Sequence, residues 1–173
     1  MKIITGRSIN LISFTMCCGL IAFAYYMEIV LNLQPCPLCV IERCVFGLLA
    51  FIFLVASIHN PGTRGQRIYG TMTLMLAIFG MVFAGRHLWL QGQPNPLGEI
   101  CVPGISYLLK SLPLSQAIKT MFLGSADCAK VSWSFLGLSI PGWTFLFFDI
   151  FALLGLAFIK GIFERIRGFT QPQ

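Results

Sequence analysis

Four long apolar runs dominate this sequence and restrict what it can fold into. They cover residues 9–31, 40–59, 68–90 and 140–162. A helix needs about 20 apolar residues to cross roughly 30 Å of hydrocarbon, and each run is long enough. Backbone groups that face lipid must be hydrogen-bonded within their own segment, and no segment alternates like a barrel strand. The sequence therefore predicts an all-α membrane protein, a four-transmembrane-helix bundle.

Composition limits what else the chain can contain. The 173 residues are 57% hydrophobic and only 10% charged, so little sequence is left for a separate soluble domain. We expect one integral membrane domain. The net charge of +6 would suggest nucleic-acid binding in a soluble protein, but here the basic residues lie at the ends of the apolar runs. We read them as topology signals and expect no nucleic-acid partner.

Basic residues cluster in three segments at or beyond the ends of the runs. They are Lys2, Arg7, Arg64, Arg67, Lys160, Arg165 and Arg167. Successive spans cross the membrane in opposite directions, so these three segments all lie on the same side. The positive-inside rule predicts that this side, and with it both termini, is cytoplasmic. The loops at 32–39 and 91–139 then lie on the opposite side. A cleaved signal peptide is the alternative for the N-terminus, but the first run continues past "AFA" at 22–24, which favours an uncleaved helix.

The long loop contains one segment with helical periodicity. Its first part is rich in proline and glycine and is typical of irregular chain. Within 114–122, apolar residues then recur at helical spacing, with polar residues on the other face. This segment is too short to span a bilayer, so we predict an interfacial amphipathic helix that holds the loop close to the membrane. The alternative is a helix packed on the bundle or on a partner.

The seven cysteines fall into two groups by position. Cys17, Cys18 and Cys44 lie inside apolar runs, where cysteine behaves as a small hydrophobe, and we expect them to serve packing. The other four map to the non-cytoplasmic side and are the candidate catalytic residues. They are Cys36, Cys39, Cys101 and Cys128.

The pair in "QPCPLCVIER" favours redox exchange over metal binding. A Cys-x-x-Cys motif is compatible with both, but the two prolines leave few amides to support a metal. Cys39 lies at the N-terminal end of the second helix, where the helix dipole favours a thiolate. Arg43 follows by four residues and therefore lies on the same helix face. Cys39 is the candidate stabilised thiolate, and we expect no resident metal.

A protein that supplies disulfides needs an electron acceptor, because disulfide exchange only moves oxidising equivalents between thiols. The sequence has no haem-attachment motif, no dinucleotide fingerprint and no iron–sulfur spacing. A thiolate at the membrane surface can instead meet a lipid-soluble oxidant. We therefore predict a membrane quinone as the acceptor.

The loop cysteines have two interpretations. Cys101 and Cys128 are separated by 26 intervening residues and could form a passive disulfide staple. The predicted amphipathic helix between them would hold the loop near the Cys-x-x-Cys end of the bundle, and "NPLGEIC" leaves Cys101 in exposed chain. This arrangement favours a second, exchangeable pair.

Two segments, "PCPLCVIERC" and "GSADCAKVSWSFLGLSIPGW", together with four spans, resemble the DsbB family of quinone-linked membrane oxidases, and the resemblance covers nearly the whole chain. It implies a bacterial inner membrane location with the redox loops in the periplasm. A DsbA-like thioredoxin-fold partner would attack a Cys101–Cys128 disulfide, with Cys101 taking the mixed disulfide. Cys128 would pass the exchange to Cys36 and release Cys39 as the thiolate that faces ubiquinone or menaquinone.

The resemblance also implies roles for nearby cations. Arg43 would stabilise the thiolate–quinone charge-transfer state. Members of the family often carry a histidine where this chain has Gly92, and His87, five residues earlier, is the candidate substitute in quinone binding. The alternative for His87 is a structural role at the interface. Arg86 is either a quinone-site cation or an interface anchor, and we favour the anchor.

Three acidic residues within the spans need an account, because charge inside a membrane is costly and often functional. We expect Glu28 to pair with Arg43 across the helices. Glu42 should point away from Arg43 and lie at the interface. Asp149 is either a protonation site or, preferably, a hydrogen-bonded residue facing the bundle. The three tryptophans near span ends fit an aromatic belt, and we assign them no chemistry.

Three other functions remain open from the residues. A metal-handling protein would use the four candidate cysteines as one thiolate site, although zinc sites usually combine two Cys-x-x-Cys motifs. A scaffold with stapled loops would need no quinone. A membrane protein resembling the epoxide-reducing oxidoreductases would run related redox chemistry in reverse.

Overall fold

The computed structural model describes residues 6–30, 36–92 and 133–162. These residues form four long helices and one short hairpin. In chain order the elements are α1 (Gly6–Val30), α2 (Pro37–His59), α3 (Thr63–Gln91), β1 (Ser134–Phe135), β2 (Leu138–Ser139) and α4 (Ile140–Ile159). Each of the four helices is long and apolar enough to cross a membrane. The predicted four-helix membrane architecture is confirmed.

The helices extend beyond the apolar runs at several ends, most clearly at the starts of α2 and α3. α2 begins at Pro37 instead of residue 40, and α3 begins at Thr63 instead of residue 68. Hydropathy identifies only the part of a helix that can lie in the hydrocarbon of the membrane. The helical backbone itself extends further, to the residue that caps it. Pro37 at the first turn needs no helical partner for its nitrogen, and Asn60 ends α2 in a left-handed conformation, with φ 43°. The turn between α2 and α3 is therefore as short as the sequence indicates.

The helices pack in chain order around an aromatic and aliphatic core. α1 contacts α2, α2 contacts α3, and the contact between α3 and α4 is the most extensive among the described elements. At the centre, the rings of Phe46 and Phe148 stack with centroids 4.3 Å apart. The largest side chains that are completely buried are Phe53, Phe148, Phe151, Leu38, Leu49, Thr73 and Cys17.

Glycines permit the close approach of α3 and α4. A Cβ added at Gly155 would lie 2.8 Å from the carbonyl oxygen of Gly70, and one added at Gly70 would lie 2.9 Å from that of Gly155. Lipid provides no hydrophobic drive for helices to associate, so close backbone packing at small residues is a main source of their affinity. This crossing fixes α4 against α3.

A two-stranded hairpin precedes α4 and was not predicted, since residues 91–139 were expected to be a loop. Ser134 pairs with Ser139 and Phe135 with Leu138. Leu136 and Gly137 form the turn with φ 53° and 80°, the positive pair that a two-residue hairpin turn requires. Strands of two residues are too short to show a period in sequence, so only the glycine hinted at the turn.

Several predicted features lie outside the described residues. They are Cys101, Cys128, the amphipathic helix at 114–122 and the terminal basic residues Lys2, Arg165 and Arg167. The orientation of the chain in the membrane stays a prediction.

Candidate functional site

The Cys-x-x-Cys motif forms the start of α2. Cys36 is the N-cap residue, with extended backbone, and its Sγ accepts a hydrogen bond from the backbone N–H of Cys39 at 3.3 Å. The thiol of Cys36 also donates to Cys39 Sγ at 2.9 Å. A sulfur at this position satisfies a helix N–H and meets the positive end of the helix dipole. The two sulfurs are thus a dithiol held by the end of a membrane helix.

A buried histidine lies beside this dithiol. His87 of α3 is only 2% exposed, and its Nε2 is 3.6 Å from Cys36 Sγ. Its other ring nitrogen, Nδ1, lies 3.1 Å from Oε1 of Glu42. An ionised Glu42 can only accept, so a neutral His87 paired with it would carry its proton on Nδ1 and direct the lone pair of Nε2 toward the sulfur. His87, for which the sequence leaves open a role in quinone binding or a structural role, thus lies between Cys36 and Glu42.

Glu42 was predicted to lie at the interface, and this prediction was wrong. Its side chain is 3% exposed, and Oε2 accepts a hydrogen bond from Thr144 Oγ1 of α4 at 2.9 Å. Glu42 therefore joins α2 to both α3 and α4. Glu42 follows Leu38 by four residues and precedes Val45 by three, so it shares the buried face of α2 with them. This helical spacing was the sequence signal that would have predicted its burial.

Arg43 points toward α1. Its guanidinium pairs with Glu28, donates to the carbonyl oxygen of Ala24 at 3.2 Å and lies over the Tyr25 ring, 5.1 Å from its centroid. The predicted pairing of Glu28 and Arg43 is confirmed. The Arg43 side chain is 19% exposed, so its charge is only partly shielded from its surroundings. A cation is thus fixed one turn below Cys39.

Both cysteines line a cavity of about 480 Å³ between the helices. Its polar lining residues are Glu28, Cys36, Cys39, Glu42, Arg43, His87, Gln91 and Thr144. Its apolar lining residues are Leu20, Ile21, Phe23, Ala24, Met27, Phe46, Trp133, Phe135, Ile140, Pro141, Trp143 and Phe147. A mostly apolar pocket with a few convergent polar groups is typical of small-molecule sites.

The hairpin supplies an aromatic wall to this cavity. The rings of Trp133 and Phe135 stack with centroids 5.8 Å apart, and Trp133 meets Phe23 of α1 edge-on at 6.0 Å. Trp143 donates from Nε1 to the carbonyl oxygen of Phe135 at 3.2 Å. Trp133 and Trp143, which were assigned no chemistry from the sequence, are therefore part of the candidate site. Their proximity depends on the hairpin, which the sequence did not reveal.

Other candidate residues lie apart from the cavity. Arg86 is not among its described lining residues, and its guanidinium lies over the ring of Trp89, 4.5 Å from the centroid. Trp89 is itself exposed, as expected for an interface anchor. Asp149 is half-buried in α4 and also lies outside the described lining.

The cysteines of the apolar runs differ from one another. Cys17 is completely buried in the core, whereas Cys18 and Cys44 are exposed on helix surfaces. Packing therefore accounts for Cys17 alone. The second candidate pair, Cys101 and Cys128, belongs to the part of the chain that the structure does not describe.

Comparison with known proteins identifies a family for this chain. The family profile described as "Disulfide bond formation protein DsbB" matches residues 6–158. Proteins named "Disulfide bond formation protein B" are similar over most of their length. The one from Marinobacter nauticus is 44% identical over 88% of this chain and 90% of its own. That from Hahella chejuensis is 41% identical over 84% and 88%, and that from Azoarcus sp. 39% over 93% and 95%. This chain belongs to the DsbB family of disulfide bond formation proteins.

Proposed function

We propose that this protein is a quinone-dependent membrane oxidoreductase that reoxidises a DsbA-like thioredoxin-fold dithiol oxidase in the periplasm. The observation that carries the proposal is a dithiol, Cys36 and Cys39, that opens into an apolar cavity beside the cation of Arg43. The dithiol can exchange with another disulfide, and the cavity can admit an oxidant from the membrane. Disulfide exchange with the partner and reduction of the quinone would therefore both take place at the N-terminal end of α2.

The residues of the cavity fit a quinone. Its ring suits the aromatic wall formed by Trp133, Trp143 and Phe147, and its isoprenoid tail suits the apolar helix faces. Arg43 would donate to a carbonyl oxygen of the quinone, and His87 could do so only when its Nε2 carries a proton. When bound, the quinone accepts two electrons and two protons and leaves as the quinol, which balances the closure of one disulfide. The acceptor would be ubiquinone or menaquinone.

Cys36 receives the incoming exchange in this proposal. By the family relationship, the partner's thiolate opens a Cys101–Cys128 disulfide through Cys101, and Cys128 then attacks the Cys36–Cys39 disulfide at Cys36. That attack forms the Cys128–Cys36 bond and releases Cys39 as a thiolate. The helix N-terminus and Arg43 both favour that negative charge. Cys39 is half-buried at the cavity, whereas Cys36 is 6% exposed.

His87 and Glu42 would carry out proton transfer at the dithiol. Whenever Cys36 is present as a free thiol, the lone pair on Nε2 of His87 is close enough to take its proton, since Nε2 and Sγ are 3.6 Å apart. Glu42, hydrogen-bonded to Nδ1, orients the ring and stabilises it when it is charged. Arg86, which contacts Trp89, is proposed to anchor the chain at the membrane interface and takes no part in the reaction.

The proposal includes an orientation. Both termini would be cytoplasmic, and the segments at 32–39 and 91–139 would lie in the periplasm of a bacterial cell, on the inner membrane. Arg64 at the start of α3 is exposed at the opposite end of the bundle from the cysteine pair, as the positive-inside rule requires.

The test is quinone reduction by the purified protein supplied with a reduced thioredoxin-fold partner. The four single variants Cys36→Ser, Cys39→Ser, Cys101→Ser and Cys128→Ser should each abolish turnover. Cys44→Ser is the matched control, because Cys44 is exposed on the same helix and does not line the cavity. Full turnover in any of the four variants would contradict the relay, and a stapled scaffold predicts no quinone reduction at all.

A further inference from the structure

The cluster of Cys36, Cys39 and His87 has a second property that does not depend on electron transfer. One ligand atom from each side chain lies within 4.8 Å of the other two. Two thiolates and one imidazole are a ligand set of zinc sites that keep an open fourth position. We propose that the reduced dithiol and His87 form a binding site for a thiophilic divalent cation, Zn²⁺ or Cd²⁺.

The distances suit tetrahedral coordination. Zn–S bonds of about 2.3 Å and Zn–N bonds of about 2.0–2.1 Å place a sulfur and a nitrogen ligand about 3.6 Å apart. Cys36 Sγ and His87 Nε2 are 3.6 Å apart. The two sulfurs, now 2.9 Å apart, would have to separate to about 3.8 Å. Rotation about the Cys39 side chain, which faces the cavity, can provide this movement.

The hydrogen-bond partner that would orient His87 as a metal ligand is already in place. Metal-bound histidines usually donate their other N–H to a carboxylate, which fixes the tautomer and makes the ligand more basic. His87 has this partner in Glu42, at 3.1 Å from Nδ1, and Thr144 in turn donates to the other oxygen of Glu42 at 2.9 Å. The lone pair of Nε2 is thereby directed toward the sulfurs.

Charge and access also agree with cation binding. Zn²⁺ replaces the two thiol protons and releases them to solvent, so the two thiolates balance the charge of the ion. The bound cluster therefore adds no net charge to a site near the membrane. All three ligands line the 480 Å³ cavity, which leaves room for a water molecule in the fourth position.

The site exists only in the reduced state. Closure of the Cys36–Cys39 disulfide removes both thiolate ligands, so cation binding and oxidation exclude each other. By linkage, a bound cation holds the dithiol reduced.

The test is titration of the reduced, detergent-solubilised full chain with Cd²⁺ alone, without quinone or partner. Binding is followed by thiolate-to-metal charge-transfer absorbance. Cys36→Ser or Cys39→Ser should remove this absorbance, and oxidised protein should not produce it. His87→Ala should weaken binding at least tenfold. Glu42→Gln keeps the side-chain shape and should weaken it by about 10- to 100-fold.

Two controls separate this site from other thiols. Cys44→Ser changes an exposed cysteine outside the cavity and should leave the affinity unchanged. The double variant Cys101→Ser/Cys128→Ser should also retain binding, whereas a site made of all four cysteines would lose it. Loss in that double variant, or unchanged affinity in both His87→Ala and Glu42→Gln, would overturn the proposal. These outcomes are independent of quinone reduction, so the two proposals can fail separately.

Discussion

Arg43 of α2 and Glu28 of α1 form an ion pair at the wall of the cavity that contains the Cys36–Cys39 dithiol. Both side chains are less than one third exposed, so the pair is only partly screened by its surroundings. Glu28 holds the guanidinium within the cavity wall, one helical turn from Cys39. The cation is therefore positioned before any ligand arrives.

Replacing Arg43 by alanine should raise the KM for quinone by about 10- to 100-fold, because a charged hydrogen bond contributes about 1.5–3 kcal/mol. The measurement is steady-state quinone reduction with a reduced thioredoxin-fold partner. Arg43→Lys should have an intermediate effect, since it keeps the charge and loses the planar fork. Arg64→Ala, an exposed change at the start of α3, is the control. Unaltered quinone dependence in Arg43→Ala would remove Arg43 from the proposed site.

Replacing Thr144 by valine should destabilise the bundle by about 1–3 kcal/mol, because buried Glu42 loses a donor to Oε2. Valine has nearly the same shape, so little packing changes. Thermal unfolding in detergent measures the effect. Thr71→Val is the control, since the Thr71 hydroxyl is exposed and bonds only its own helix at the carbonyl of Arg67. Equal melting temperatures for the two variants would argue against Glu42 as a link between helices.

Replacing Gly155 by alanine should destabilise the contact between α3 and α4 by about 1–3 kcal/mol, the usual range for overpacking. The new methyl group would lie 2.8 Å from the carbonyl oxygen of Gly70 and 3.0 Å from the backbone nitrogen of Leu74. Neither backbone atom can move without shifting its helix. The measurement is again thermal unfolding.

Gly19→Ala provides the matched control for this change. A Cβ at Gly19 would meet nothing within 4 Å. Alanine is a better helix former than glycine, by up to about 1 kcal/mol, so this variant should be neutral or more stable. A stable Gly155→Ala protein would mean that α3 and α4 pack less closely than described.

Replacing Trp133 by alanine should raise the KM for quinone by about 2- to 10-fold, since a stacked aromatic contact contributes about 0.5–1.5 kcal/mol. Trp133 links the hairpin to Phe23 of α1 and lines the cavity. Trp89→Ala, at an exposed position that does not line the cavity, is the control. If both variants bind quinone as the unaltered protein does, the hairpin is not a wall of the quinone site.

Local patterns were enough to predict the spans, the Cys-x-x-Cys pair at the start of α2 and the pairing of Arg43 with Glu28. Each depends on hydropathy, a cap position or one neighbouring helix. The contact between Glu42 and His87 was missed because it depends on how α2 and α3 are rotated against each other. Helical spacing shows which residues share a face, but it does not show which helix that face meets. The hairpin was missed because two paired residues carry no readable period.

The fixed position of Trp133 also limits where Cys128 can be. Trp133 is held between Phe23 and Phe135, and only five peptide units separate it from Cys128. An extended chain covers at most about 3.6 Å per residue, so the Cys128 Cα stays within about 18 Å of the Trp133 Cα. A short tether of this kind confines a thiol to a small volume, with an effective concentration in the millimolar range. If Cys128 exchanges with the Cys36–Cys39 pair as proposed, that encounter is intramolecular and needs no diffusion between molecules.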